Sequence, residues 1–142
     1  MRFPASPTPG CSAGWDDRSG LTSVLLIDDD ATFRELAVGM LQRAGLSVVG
    51  TAATVESAAA AARQLRPEAA LVDVVLPDGS GVALAAELSA LPWRPRIVLT
   101  SNDPEAVTEA VARSVGAAAF VAKHDLPGSS LGLLLTGSER PE

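Results

Sequence analysis

VLLIDDDATF, residues 24–33, runs four apolar residues into three consecutive aspartates and then into a segment with helical spacing. Carboxylates set so closely repel one another, so the end of this strand needs compensation. A bound cation, a helix N-terminus or exposure to water would each supply it. Asp30 has a role at hand as the cap of the following helix. Asp28 and Asp29 have none, and what compensates them bears on what the strand is for.

The same pattern recurs along the chain. Short apolar runs lie at 23–27, 47–52, 69–75, 96–100 and 118–122. They are continuous rather than alternating, as in strands covered on both faces of a parallel sheet. Helical segments separate them. Residues 31–44 carry Phe33, Leu36, Ala37, Met40, Leu41 and Ala44 at three-four spacing, with Gly45 as the stop. Residues 55–65 are Ala-rich and opened by Thr54. Residues 82–91 follow a Gly-Ser-Gly turn and end before Pro92. Residues 104–115 have Asp103 as cap, Pro104 in the first turn and Gly116 as stop. A weaker helix is expected near 127–136. Five strand–helix units predict an α/β fold, a doubly wound five-stranded parallel sheet in a flavodoxin-like sandwich. The expected strand order is 2-1-3-4-5.

Composition narrows the function. The chain has 142 residues, enough for one domain, with 47% hydrophobic and 20% charged residues. Its net charge of −6 argues against direct nucleic-acid binding. No apolar run approaches the length of a membrane span. Residues 1–20 hold Pro4, Pro7, Pro9, Gly10, Gly14 and Gly20 without the apolar core of a signal peptide, and read as a disordered leader. Cys11 stands alone in that leader, so no disulfide framework is expected and a cytoplasmic setting fits. The domain is expected over 21–136, with 137–142 as a polar tail. No separate output domain is expected after residue 136.

In open α/β sheets, ligands gather beyond the carboxyl ends of the strands. Strand one ends in Asp28 and Asp29. Strand three carries Asp73 inside ALVDVVLPDGSG, residues 70–81. Strand four ends in Thr100 and Ser101, and strand five in Lys123. With strands one and three adjacent, Asp28, Asp29 and Asp73 converge near Thr100 and Lys123. Three carboxylates suit a hard divalent cation, Mg²⁺ above all, and the hydroxyl and ammonium suit a phosphoryl group beside it.

These pieces, in this order, resemble the receiver domain of bacterial two-component response regulators. The matching residues are Asp28-Asp29, Asp73 followed by VVLPDGSG, IVLTS ending in Thr100-Ser101, and GAAAFVAK with Phe120 before Lys123. The resemblance implies that Asp73 is the phosphoacceptor and that Asp29 and, mainly through water, Asp28 hold Mg²⁺. It also implies that the Val75 main-chain carbonyl completes the metal shell and that Thr100 and Lys123 contact the phosphoryl group. Thr100 and Phe120 would form the switch. Val75 and Asn102 occupy positions that are polar in fast-hydrolysing members. The implied partners are a sensor histidine kinase or phosphotransfer protein, a downstream protein target, and a second copy through the strand 4–strand 5 face. One departure is His124, where many receivers have a cis-proline after the lysine. Two other functions fit parts of the pattern. LLIDDDATF matches the opening of haloacid dehalogenase-like phosphatases, with Asp28 as nucleophile and Asp30 as acid/base, but that leaves Asp73 unexplained. A pseudo-receiver that works unphosphorylated is the other.

Overall fold

The computed structural model describes residues 21–137. The leader and nearly all of the polar tail expected from the sequence lie outside the described residues. Five strands, β1 (Ser23–Ile27), β2 (Ser47–Ala52), β3 (Ala69–Asp73), β4 (Arg96–Ser101) and β5 (Ala117–Ala122), form one parallel sheet. Their order is β2-β1-β3-β4-β5, as anticipated.

The continuous apolar runs are explained by the two cores they serve. Successive side chains of a strand point to opposite faces. Leu25 and Ile27 of β1, Ala70 and Val72 of β3, and Ile97 and Leu99 of β4 therefore face one core. It is covered by α2 (Val55–Leu65), α3 (Gly81–Ser89) and α4 (Glu109–Ser114). Val24, Leu26, Ala69, Leu71 and Val98 face the other, beneath α1 (Ala31–Arg43) and α5 (Leu131–Thr136). Asp30 caps α1, its Oδ1 accepting from Thr32 N at 3.0 Å and Phe33 N at 3.3 Å. Thr54 and Ser57 cap α2 reciprocally.

Several expected elements are corrected. The third strand ends at Asp73 rather than 75. Gly81 N–H donates to Val74 O, which turns the chain back, and Val75–Leu76 pairs antiparallel with Gly79–Ser80. The helix expected over 104–115 starts only at Glu109. Asp103 closes a separate turn, its carboxylate accepting from Glu105 N, and Thr108 is the true N-cap, accepting from Val111 N. Extended backbone at Thr108 separates the two while Val107 is buried in the core. Instead of one helix over 127–136 there is a 3₁₀ turn, Lys123–Gly128, and then α5, separated by extended backbone at Ser129. Leu36, placed on the apolar face of α1, is 63% exposed because the buried stripe is centred on Ala37 and Leu41. Among the described residues no helix is long and apolar enough to cross a membrane.

Candidate functional site

β1 and β3 are neighbours and β2 lies on the far side of β1, so the connections diverge at the carboxyl ends of β1 and β3. Asp28 follows β1, held by its N–H bond to Ala52 O at 2.9 Å. Asp73 ends β3, and Thr100 pairs with it in register on β4. One carboxylate oxygen from each of Asp28, Asp29 and Asp73 lies within 4.8 Å of the others. Asp28 and Asp73 are buried and Asp29 is exposed.

Lys123, at the end of β5, is the cation of the cluster. Its Nζ lies 2.7 Å from Asp28 Oδ2 and 3.4 Å from Asp73 Oδ2, with only 9% of the side chain exposed. No peptide bond among the described residues is cis, and the 3₁₀ turn beginning at Lys123 still carries the ammonium to both carboxylates. Its pairing with Asp28 and Asp73 outweighs burial, so its pKa lies above the ordinary lysine value. Burial pushes the Asp73 carboxyl above its usual range, and the Asp28 charge adds to the rise. The Val75 N–H bond at 3.2 Å and Lys123 act against it without cancelling it.

One lysine does not neutralise three carboxylates. At an effective dielectric of about 20, two unit charges at such separations repel by roughly 3 kcal/mol or more. Asp28 Oδ1 accepts from Asp30 N at 2.9 Å, while Oδ2 is buried against the Lys123 ammonium at 2.7 Å. Three carboxylates whose oxygens lie within 4.8 Å of one another, with one ammonium among them, make an all-oxygen, net negative set that fits a hard divalent cation.

The remaining expected residues divide in two. Val75, 67% exposed, and Asn102 line the same open cleft as Asp29, Asp73, Ser101 and Lys123, about 450 Å³ in volume. Thr100 is buried and its hydroxyl donates to Val121 O at 2.7 Å, toward β5. Phe120 does not line the cleft; it packs half-buried against the core under α2, α3 and α4. His124 is exposed beside Asp125.

The structure adds residues that sequence inspection passed over. Arg34 donates to Asp28 O at 2.7 Å, and the Phe33 ring centroid lies 4.3 Å from Lys123 Nζ. Asp78 reaches across to α2, accepting from Val55 N at 2.7 Å and Glu56 N at 3.1 Å. Gly81 brings the start of α3 against the backbone of Asp73: an added Cβ would collide with the Asp73 carbonyl and lie 2.9 Å from Val74 Cα. The Gly-Ser-Gly turn and the PDG triplet were legible signals for Gly81 and Asp78. Phe33 gave none, since an apolar residue at helical spacing reads as core.

The fold and this cluster define a class of phosphoacceptor signalling module. A family model described as the response regulator receiver domain matches residues 24–127. The chain belongs to that family, whose members serve two-component systems, receive phosphoryl groups from kinases and generally bind Mg²⁺ at an acidic pocket. It is similar to the DNA-binding transcriptional activator DevR/DosR of Mycobacterium tuberculosis, 37% identical over 114 residues, 78% of this chain and 51% of that protein. It is also similar to protein-glutamate methylesterase/protein-glutamine glutaminase 3 of Anaeromyxobacter dehalogenans, 37% identical over 108 residues, 75% of this chain and 32% of that protein. The chain thus spans about a third to a half of the length of these relatives. Among solved structures it resembles the receiver domain of the response regulator NarL from Mycobacterium tuberculosis, with a TM-score of 0.69 at 26% identity over 82% of this chain and 93% of that one. The chemotaxis response regulator CheY4 of Vibrio cholerae gives a TM-score of 0.67, also at 26% identity, over 78% of this chain and 93% of that one.

Proposed function

We propose that residues 21–136 form a receiver unit that takes a phosphoryl group on Asp73 from a phosphohistidine of a sensor kinase or phosphotransfer protein. The supporting observation is the convergence of Asp28, Asp29 and Asp73 within 4.8 Å, with Lys123 bridging Asp28 and Asp73. An Asp73 carboxylate oxygen bonds to phosphorus as the P–N bond to the donor imidazole breaks, and the imidazole nitrogen keeps the electron pair. Lys123 neutralises charge on the incoming oxygens. Mg²⁺, held by Asp28, Asp29, Asp73 and the Val75 main-chain carbonyl, would offset the repulsion between nucleophile and phosphoryl group. Thr100 exchanges its bond to Val121 O for one to the phosphoryl group, and Phe120 moves with it. That biases a two-state equilibrium at the β4–β5 face, where a target protein or a second copy docks. The setting is the cytoplasm, and neither nucleic acid nor a membrane is a direct ligand of this unit.

A haloacid dehalogenase-like phosphatase would use Asp28 as nucleophile and Asp30 as acid/base. Asp30 is engaged instead as the α1 cap, and Asp28 is the more deeply buried partner of Lys123. The test is intact mass after incubation with Mg²⁺ and acetyl phosphate. The expected gain is one phosphoryl group, dependent on Mg²⁺ and absent in Asp73→Asn. Labelling that persists in Asp73→Asn and disappears in Asp28→Asn would favour the phosphatase, and no labelling at all would favour a pseudo-receiver.

A further inference from the structure

Lys123 is held on three sides. Two are the carboxylates of Asp28 and Asp73; the third is the ring of Phe33, 4.3 Å from the ammonium. The ring face of an aromatic residue attracts a cation through its quadrupole, more strongly when the pair is withdrawn from water. Phe33 is well fixed for the purpose. Its backbone N–H donates to the Asp30 cap in the first turn of α1, and its side chain packs against the core beneath α1 and α5.

The three sides are not equivalent once the site is loaded. Under the phosphoacceptor function, on which this inference rests, the two carboxylates are committed to a divalent cation and to phosphorus. That cation repels the ammonium. A hard divalent cation takes oxygen ligands and the phosphoryl group is an anion, so neither displaces the ring from the ammonium. We propose that Phe33 is a positioning residue for phosphoryl transfer, whose ring holds the Lys123 ammonium at the cleft when its carboxylate partners are taken.

The test exploits Lys123 being the only lysine in the chain. Lysine labelled with ¹³C at Cε gives a single residue to follow in the full-length protein. Its ε-methylene protons are expected to be shifted upfield by the Phe33 ring current, both without metal and with saturating Mg²⁺, and to lose the shift in Phe33→Leu. Kinetics supply the second readout. Phenylalanines bearing one, two and three ring fluorines, inserted only at position 33, weaken the quadrupole while largely retaining ring shape. The rate of phosphorylation by acetyl phosphate is expected to fall stepwise, by about three- to tenfold across the series, at constant melting temperature. An unshifted lysine resonance in the Mg²⁺-loaded wild type, or a flat rate across the fluorinated series, overturns the proposal. A wild type that is never phosphorylated sinks the phosphoacceptor function instead, and the lysine resonance still judges the ring contact.

Discussion

Asp28 and Asp73 end adjacent strands, yet their surroundings fit them for different work. Asp28 is fully buried, with Lys123 against one oxygen and the Asp30 N–H on the other. Asp73 lines the cleft, and burial raises its pKa, which makes its oxygen more basic than an ordinary carboxylate while leaving it reachable. Beside it, Val75 offers only its backbone N–H to Asp73, and its side chain can neither donate nor accept a hydrogen bond. A water attacking an acyl phosphate on Asp73 would therefore find no hydrogen-bonding group on the Val75 side chain. Phospho-Asp73 is expected to decay slowly, and Val75→Asn to speed decay by roughly tenfold, the usual worth of one positioning contact. Equal decay time courses for the two proteins would refute this role for Val75. Gly81 affects the site from behind. Gly81→Ala forces a methyl group into the Asp73–Val74 backbone, and a loss of about 1–3 kcal/mol is expected in urea unfolding. A stability within error of wild type would mean the backbone yields there at no cost.

Between residue and fold, the connection after β3 does more than turn the chain. Its short ladder, Val75–Leu76 with Gly79–Ser80, presents Asp78 to the N-terminus of α2, while Ser80 caps α3 by accepting from Val82 N and Ala83 N. The loop beside Asp73 is thereby tied to two helices. The Val55 N–H bond, aided by Glu56 N–H, lowers the Asp78 pKa below its ordinary value of 3.8. A group whose folded pKa is depressed adds stability above its unfolded value and loses it as pH falls through the folded one. Wild type is therefore expected to exceed Asp78→Asn in stability at neutral pH. The gap should close as pH drops below the ordinary carboxylate range, as followed by urea melts across the acid limb. A gap independent of pH would show that the Asp78 charge does not matter to this contact.

At the scale of the whole molecule, parallel βα units align helix N-termini with the carboxyl ends of the strands. Asp28, Asp29 and Asp73 therefore add to an edge already occupied by the capping residues Asp30 and Asp78. These carboxylates repel one another, and a cation would relieve that. Millimolar Mg²⁺ is expected to raise the melting temperature by mass action, and Asp29→Asn to stabilise the metal-free protein and blunt the Mg²⁺ effect. Because Asp29 is exposed and screened by water, the gain in the variant is expected at the small end, about 0.5 kcal/mol. Identical melting curves with and without Mg²⁺ would tell against a clustered acidic pocket.

The sheet was legible in the sequence because burial on both faces leaves a local mark: uninterrupted apolar runs such as 24–27 and 97–99, punctuated by Thr54, Gly45 and Gly116. The acidic trio was legible for a related reason, since Asp73 in an apolar run and Asp28-Asp29 at a strand end both require compensation. Where a second cap was available, local pattern did not suffice. Asp103 and Thr108 can each start a helix, and the burial of Val107 goes with the later start. Contacts between distant segments left no local trace of the partner they join. Phe33 over Lys123, Asp78 on α2 and Thr100 on Val121 O join residues far apart along the chain. Periodicity reports which way a residue faces. Only tertiary packing decides what it meets there.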